Sequence, residues 1–332
     1  MKSTDSAGPD NNTLEGFFRF KLQLWGLFTA AGTLAAAVSI GGFFGHYAWW
    51  LDIGSHFRVQ YTIGFAAMAV CYALGRKKRW TLCAFCMAFL NVLPVITLLL
   101  PPTKETASGT DSLKAVLINV NTQTGNPAEV LSFLEKENPD IIVLEEISHK
   151  WINELGPLYE KYPIRTIKSQ EDNFGIGLFC RGEEITAEIV SLGSAQVPSI
   201  ISKIRLAGHV MTILATHPVP PVGSLYWGLR NEQLEQIAQK TCEIDGPLML
   251  LGDLNTTPWS YHYRALIQAS GLKNSSKSRG IYATWPTFAW PLQIPLDHCL
   301  HTEDIVILNK QIGPDIGSDH YPVIITFTLR EV

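Results

Sequence analysis

The chain has 332 residues and a formal net charge of −4, with 46% hydrophobic and only 17% charged residues. So few charges are unusual for a soluble protein, and most of the deficit lies in the first hundred residues. Beyond residue 110 there are 17 basic and 25 acidic side chains, a net charge of about −8. This acidic balance argues against general nucleic-acid binding through bulk charge, although a local basic groove remains compatible with it.

Three apolar stretches predict membrane-spanning helices at residues 22–44, 59–75 and 80–100. The first and third contain no charged side chain and reach the length of about 20 residues that a helix needs to cross a bilayer. The second is shorter but also uncharged, and we expect it to span with help from its flanks. Three buried helices of a soluble domain are the alternative, which suits such uninterrupted apolar runs less well.

Basic residues predict the orientation of these spans. Arg19 and Lys21 precede the first span, and an Arg-Lys-Lys-Arg run at residues 76–79 separates the second from the third. Lys and Arg accumulate in cytoplasmic loops. We therefore predict a cytoplasmic N-terminal segment at residues 1–21 and a multi-pass domain of the cytoplasmic (inner) membrane at residues 22–100, with everything after it outside the cytoplasm.

Residues 101–112 are rich in Pro, Thr, Ser and Gly and are predicted to form a linker. Fully extended, such a segment reaches about 40 Å. Residues 113–332 then form a domain long enough for one substantial core, which would have to work close to the membrane surface.

In the outer domain, strand-like apolar runs alternate with helical patterns. Asn126 is expected to cap a helix that has Pro127 at its first position. Several neighbouring strands have no helix between them, so we predict an α/β fold with mixed sheets. The predicted strands are at residues 115–120, 141–144, 175–180, 184–191, 200–206, 210–216, 248–251, 304–308 and 323–329. The other predicted helices are at residues 151–162, 229–243 and 260–270.

Polar residues follow many of these apolar runs. Asp253 and Asn255 end one predicted buried strand, and side chains two residues apart point to the same side of an extended backbone. Together they suit a hard cation or a phosphate oxygen. Taken singly, each such residue has an ordinary structural explanation, such as a turn or an ion pair. Their recurrence at strand ends predicts one shared site, which would comprise Asn119, Glu146, His217, Asp253, Asn255, Asp297, Asp319 and His320.

These motifs, in this order, resemble the endonuclease/exonuclease/phosphatase superfamily, which has the DNase I-like fold. The resemblance rests on residues 113–119, 139–146, 216–217, 252–255, 296–298 and 317–320. Thr284-Trp285-Pro286 is similar to the membrane-anchored bacterial branch that includes glycopeptide-resistance phosphatases. The implied fold is a four-layer α/β sandwich of two packed mixed sheets flanked by helices. Glu145 stands where Gln is usual, and Asn121 is a second candidate for the first amide.

The resemblance also implies a role for each polar residue. Asn119, Glu146 and Asp319 would hold Mg²⁺ or Mn²⁺, for which oxygen ligands are suited. Asn173 would be a further contact to the phosphate of the substrate.

The remaining five residues would be catalytic. Asp253 and Asn255 would position or deprotonate the attacking water, and His217 would bind the phosphate or assist proton transfer. Asp297 would orient His320 and raise its basicity. The implied reaction is hydrolysis of a phosphoester or pyrophosphate by in-line attack of water.

Together these observations predict a membrane-anchored, divalent-metal-dependent phosphatase or phosphodiesterase that acts outside the cytoplasmic membrane, on lipid-linked phosphates. The alternatives are an extracytoplasmic endonuclease or exonuclease of low specificity, and an inactive membrane-tethered binding domain. Several aromatic residues near the motifs could either form an apolar collar for a lipid or belong to the core; they are Tyr226, Trp227, Trp259, Tyr261, Trp285 and Trp290.

Overall fold

The computed structural model describes residues 11–100 and 112–330, with side chains from residue 23 onward. Residues 1–10 of the predicted N-terminal segment and residues 101–111 of the predicted linker lie outside this described part. The described helices are α1 (Asn11–Gly41), α2 (Trp49–Ser55), α3 (Arg58–Leu74), α4 (Lys78–Leu99), α5 (Pro127–Glu137), α6 (His149–Glu154), α7 (Gly223–Cys242) and α8 (Tyr261–Ser270).

Helices α1 to α4 form the apolar N-terminal part of the chain. Within the described residues, the segments Gln23–Phe44 and Lys78–Leu99 are each long and apolar enough to cross a membrane. Helices α2 and α3 are bent by 63° relative to each other and supply a third span if they are counted together. The connection between the first two predicted spans is therefore not a plain loop, because it contains the short helix α2.

The rest of the chain confirms the predicted α/β class with two mixed sheets. One sheet has the strand order β11-β12-β1-β2-β4-β3 and the other has the order β5-β6-β7-β8-β10-β9. Helices cover the outer faces of both, which gives four layers. The strands are β1 (Leu113–Asn119), β2 (Ile141–Glu145), β3 (Ile164–Lys168), β4 (Ile176–Cys180), β5 (Glu183–Ser191), β6 (Pro198–Leu206), β7 (His209–Thr216), β8 (Leu248–Asp253), β9 (Lys273–Asn274), β10 (Asp297–His301), β11 (Ile305–Ile312) and β12 (Val323–Leu329).

The core has three apolar layers. Leu117 and Leu251 belong to the layer between the sheets. Residues such as Phe133 of α5 cover the outer face of the first sheet, and residues such as Leu234 of α7 cover the second. The central strands are consequently buried on both faces, which explains their uninterrupted apolar sequences.

Several elements differ from the sequence prediction: for example, α7 begins at Gly223 rather than at residue 229, and the two-residue strand β9 was not predicted. The predicted helix at residues 151–162 is wrong in extent: α6 ends at Glu154 and a short 3-10 turn, Gly156–Leu158, follows. Pro157 cannot donate a backbone hydrogen bond, so it does not continue an α-helix. Strands β3 and β10 were not predicted, because the first carries Arg and Lys and the second contains an acid and two histidines.

The outer domain, here called the catalytic domain after its predicted role (residues 113–330), packs directly on the start of α3 and the end of α4. The backbone N–H of Gly280 donates to the carbonyl of Leu98 at 2.9 Å. The buried Trp259 side chain packs against Val95 and Leu98, and its Nε1 donates to the carbonyl of His56 at 3.0 Å. The domain is thus held against the apolar N-terminal helices by contacts that do not depend on the linker.

A buried ion pair fixes the same interface. The Arg230 guanidinium of α7 pairs with the Asp52 carboxylate of α2, and both side chains are fully buried. Ser260 Oγ and Trp227 Nε1 also donate to Asp52, at 2.9 and 3.2 Å. Three side chains of this domain thus donate to the buried Asp52 carboxylate, which makes α2 a specific docking element.

Candidate active site

The sheet topology brings the predicted polar residues to one rim of the sandwich. In each sheet a central pair of strands is parallel, β1 with β2 and β7 with β8, so their carboxyl ends lie at the same edge. Strand β10 runs antiparallel to β8 and begins at this edge, with Asp297 directly opposite Asp253. Residues far apart in sequence thus meet because strands end, or begin, at the same rim.

Gly252 explains why the acid at the end of β8 can sit so deep. A side chain at this position would collide with the carbonyl oxygen of Thr216 on β7. Only glycine permits this close approach of the two backbones. The carboxylate of Asp253 is consequently held beside the end of β7, where His217 follows.

Asp253 lies at the centre of the cluster. Its Oδ2 atom is 3.6 Å from Nε2 of both His217 and His320. The backbone N–H of Asn255 donates to its Oδ1 at 2.9 Å. The Asn255 side chain in turn lies 3.3 Å from His217 Nε2. One carboxylate, one amide and two imidazoles therefore face a common space.

Asp297 contacts His320 directly. Asp297 Oδ2 is 2.9 Å from His320 Nδ1, and both side chains are buried. Burial alone would lower the pKa of His320, but the carboxylates of Asp297 and Asp253 raise it to about 10. Burial raises the pKa of Asp297, and the charge on His320 more than offsets this and holds it below its usual value. The pair is thus a carboxylate bound to an imidazolium.

Burial also shifts the pKa values of the other two central groups, Asp253 and His217. Burial raises the pKa of Asp253 to about 7, an effect that the charge on His320 opposes. Burial also lowers the pKa of His217 to about 4, so this imidazole is neutral at pH 7. Its buried Nδ1 has no hydrogen-bond partner among the described residues. A polar group of a substrate would supply that partner.

The three residues predicted to hold a metal lie beside this cluster. Asn119 Nδ2 donates to Glu146 Oε1 at 2.9 Å, and Glu146 and Asp319 line the same cavity. Asn121 Nδ2 donates to Asp319 Oδ1 at 2.8 Å. Burial raises the pKa of Glu146, and the charge of Asp319 adds to this rise. Two acids that repel each other, with amides beside them, are a donor set that fits a hard divalent cation.

Asp253, Asp297 and His320 form a second group of candidate ligands. Within the described residues, they are the group of three whose ligand atoms all lie within 4.8 Å of one another. His320 Nδ1 already contacts Asp297, whereas Glu146 and Asp319 offer only oxygen atoms. The oxygen-only pair therefore fits a hard divalent cation better.

Several site residues have a left-handed backbone. The φ angles are +54° at Asn121, +63° at Glu146, +69° at Asn173 and +49° at Asn255. Asn tolerates this conformation, whereas for Glu it costs about 1–2 kcal/mol. The surrounding hydrogen bonds hold Glu146 in this conformation, including a 2.8 Å bond from Thr122 Oγ1 to its carbonyl. Such strain is typical of functional sites.

The cluster lies in a cavity of about 620 Å³. Asn173, predicted to contact the substrate, lines it, and so does Trp285, whose Nε1 donates to Asp319 Oδ2 at 3.0 Å. All the predicted site residues therefore line the cavity except Asn119 and Asp297. These two lie behind the lining, where Asn119 contacts Glu146 and Asp297 contacts His320.

A family model described as the Endonuclease/Exonuclease/phosphatase family matches residues 116–320, which is more than half of the chain. The chain belongs to this family. Its members are metal-dependent hydrolases of phosphoester bonds, and the chain is an enzyme of this class. The comparison with curated protein sequences gives no match.

Solved structures of the same fold also match. An endonuclease/exonuclease/phosphatase from Bacteroides vulgatus is 19% identical, with a TM-score of 0.57 and coverage of 67% of this chain and 100% of that chain. D. rerio TDP2 complexed with a single-strand DNA product is 18% identical (TM-score 0.54, coverage 66% and 99%). Sphingomyelinase C from Streptomyces griseocarneus is 17% identical (TM-score 0.50, coverage 65% and 99%). Identities this low show the shared fold and do not indicate a substrate.

Glu145 is the departure from the usual family pattern, and its surroundings explain how it is tolerated. It is fully buried and accepts a hydrogen bond from the backbone N–H of Asp253 at 3.0 Å. Burial raises its pKa well above the usual value, and the nearby carboxylates of Asp253 and Asp297 add to this rise. A neutral carboxylic acid has nearly the same shape and acceptor capacity as the amide of glutamine.

We therefore expect Glu145→Gln to change the free energy of unfolding by less than about 1 kcal/mol. Glu145→Ala leaves the Asp253 N–H buried without its acceptor and should cost about 1–3 kcal/mol. Chemical unfolding of the two variants in detergent checks this. Equal destabilisation by both would contradict the neutral-acid interpretation.

The family membership does not account for every residue of the cavity. Three lining residues, Ile53, His56 and Phe57, come from the last turn of α2 and its connection to α3. No sequence signal pointed to them, because the contact joins segments more than a hundred residues apart. The sequence left open whether the nearby aromatic residues face a substrate or belong to the core. Tyr226 and Trp285 line the cavity, Trp259 is buried in the core, and Trp290 is 81% exposed.

Proposed function

We propose that this enzyme is a membrane-anchored phosphatase or phosphodiesterase that acts on lipid-linked phosphates outside the cytoplasmic membrane. The observation that carries the proposal is the position of the cavity. The catalytic cluster and the junction of α2 and α3, which together count as one candidate membrane span, line the same space. A phosphate attached to a hydrocarbon chain is the substrate class that suits such a location.

We infer that Glu146 and Asp319 would hold the cation, assisted by Asn119, which donates to Glu146 Oε1. Bound Mg²⁺ or Mn²⁺ would offset the negative charge that develops on the phosphoryl and leaving oxygens. Asn121 and Trp285 each donate to one oxygen of Asp319. These bonds fix the direction of the Asp319 carboxylate.

The remaining residues act on the water and the phosphate. Asp253 positions the water and accepts its proton as the new P–O bond forms, and the bond to the leaving oxygen breaks on the opposite side. Asn255 holds a non-bridging oxygen. His320, charged and fixed by Asp297, stabilises the negative charge on the phosphoryl group. The neutral His217 contributes a further phosphate contact through its unpartnered Nδ1.

The direction of α4 supports an extracytoplasmic site. This helix begins at Lys78, in the basic run of residues 76–79, and ends at Leu99, next to the contact with Gly280. The basic turn and the catalytic domain are therefore at opposite ends of a helix about 33 Å long. Since Lys and Arg accumulate on the cytoplasmic side, we place the catalytic domain on the other side. A fused reporter that works only in the cytoplasm would contradict this placement.

Metal removal tests the proposed chemistry. Treatment with EDTA is expected to abolish phosphate release from a panel of lipid phosphates and pyrophosphates, and added Mg²⁺ or Mn²⁺ should restore it. Plasmid DNA in the same assay tests the nuclease alternative. Nicking of plasmid that outpaces lipid hydrolysis would favour a nuclease, and no turnover of any phosphoester with either metal would favour the inactive binding domain.

A further inference from the structure

We propose that residues 53–57, the last turn of α2 and its connection to α3, are part of the substrate-binding site. This α2–α3 turn would select phosphates that carry a long hydrocarbon chain. Ile53 and Phe57 would contact the first part of that chain, and His56 would contact a polar group next to the phosphate. This inference rests on the proposed function and extends it, because it assigns substrate selection to the membrane part of the chain.

The first observation is the composition of the cavity. Ile53, His56 and Phe57 line the same cavity as Asp253 and His320. Ile53 and Phe57 are only half-buried, so each keeps an apolar surface that packing within the protein does not cover. A hydrocarbon chain that entered the cavity would cover this surface, at a gain of about 25 cal/mol for each Å² removed from water.

The second observation is an unpartnered polar atom. The His56 side chain is 5% exposed, and its buried Nε2 has no hydrogen-bond partner among the described residues. A buried nitrogen without a partner is costly, and most such groups in proteins are satisfied. His56 lines the cavity, so a hydroxyl or ester oxygen of a bound substrate can supply the missing partner.

The third observation is the rigidity of this turn. Arg230 pairs with Asp52 one residue before Ile53, and its Nη1 also donates to the carbonyl of Asn255 at 2.7 Å. Gln60 Nε2 donates to the carbonyl of Gln293 at 2.8 Å on the other side of the turn. Both ends of the turn are thus fixed to the catalytic domain. Preorganised residues of this kind contribute to specificity because binding does not have to order them.

Exposed apolar residues continue the same surface outside the cavity. Val222 and Tyr226 line the cavity and are 69% and 47% exposed, and Leu225, also 69% exposed, lies between them on α7. Helix α3 begins at Arg58, immediately after Phe57. The apolar surface therefore runs from the cavity to the end of a membrane helix, which is a path for a lipid whose tail stays in the bilayer.

A chain-length series tests the proposal. The full-length protein in nanodiscs is assayed with the lipid head group that it hydrolyses best, carried on a long and on a six-carbon chain. Ile53→Ala and Phe57→Ala should lower kcat/KM for the long-chain substrate at least tenfold and for the short-chain substrate less than twofold. The matched controls are Ile63→Ala and Phe89→Ala, which shorten exposed apolar side chains of α3 and α4 away from the cavity.

Each outcome has a defined meaning. Equal losses on both substrates would show that the turn only supports the fold, and no loss on either would show that it does not contact the substrate; both results overturn the inference.

Crosslinking with a photoactivatable phosphatidic acid provides a readout independent of turnover. Adducts at residues 53–57 should be lost in an excess of unlabelled long-chain lipid phosphate and should persist in the same excess of a six-carbon phosphate; equal loss with both competitors, or no adducts there, would overturn the inference even if hydrolysis itself is confirmed.

Discussion

Replacing His320 with alanine is expected to lower the rate of phosphoester hydrolysis about a thousandfold, the range found when a positioned acid–base group is removed. The imidazolium lies 3.6 Å from Asp253 and is fixed by Asp297 at 2.9 Å. Its loss removes both a positive charge beside the phosphate and the partner of two buried carboxylates. Steady-state rates with Mn²⁺ at saturating substrate measure the effect.

The Asp297→Asn variant distinguishes orientation from general destabilisation. It should lose most of the activity, and the double variant with His320→Ala should be no slower than His320→Ala alone, because residues that act as a unit are not additive. His209→Ala is the control, since this histidine lies at the opposite end of β7 from the site. A loss of less than tenfold in His320→Ala would remove this residue from the mechanism.

The second large effect is expected at the buried ion pair between the membrane part and the catalytic domain. Replacing Asp52 with alanine leaves the fully buried Arg230 charge without its carboxylate. Breaking such a pair costs about 3–5 kcal/mol, which for a domain of this size corresponds to a fall in Tm of about 10 °C. Activity should fall as well, because Arg230 also holds the carbonyl of Asn255.

Removing both charges should cost less than removing one. The double variant Asp52→Leu with Arg230→Met is expected to recover several degrees of Tm relative to Asp52→Ala, because no charge remains buried. Glu243→Gln is the control: it breaks the partly exposed pair with Lys240 and should cost less than about 0.5 kcal/mol. Equal Tm values for Asp52→Ala and this control would show that the interface does not hold the two parts together.

The central features of the fold follow from the sequence. Asn126 caps α5 by accepting from the backbone N–H of Ala128, with Pro127 at the first helical position, as predicted. The long apolar runs predicted doubly covered strands, and β1, β2 and β8 are buried on both faces. These features are set by residues close in sequence, and local patterns report them well.

Features that depend on distant contacts did not appear in the sequence. Helix α2 is a seven-residue segment whose position is fixed by Arg230, almost 180 positions away in the chain. Strand β10 has too few apolar residues to be recognised, because Asp297 and His298 serve the site and its surroundings rather than the core. The pairing with β8 stabilises this strand, and no local pattern records that pairing.

The polar residues of the site were predicted more completely than the other residues that line the cavity. Most of the motif residues could be found because they follow apolar runs in the sequence. The topology brings the ends of β1, β2, β7 and β8 and the start of β10 to one rim. Asn121 and Trp285, which direct the two oxygens of Asp319, were only weak signals in the sequence. The contribution of Ile53 and Phe57 to the cavity gave no signal, since apolar residues between membrane spans have an ordinary explanation.

The most direct test compares the wild-type protein with Asp253→Asn in identical nanodiscs that contain a long-chain lipid phosphate and Mn²⁺. The wild type should release phosphate only when the metal is present, and the variant should be at least a thousandfold slower while it keeps the same Tm to within a few degrees. If the variant matched the wild type, or if the wild type released phosphate equally well in EDTA, the acids, amides and imidazoles at this rim would not form a metal-dependent hydrolytic site.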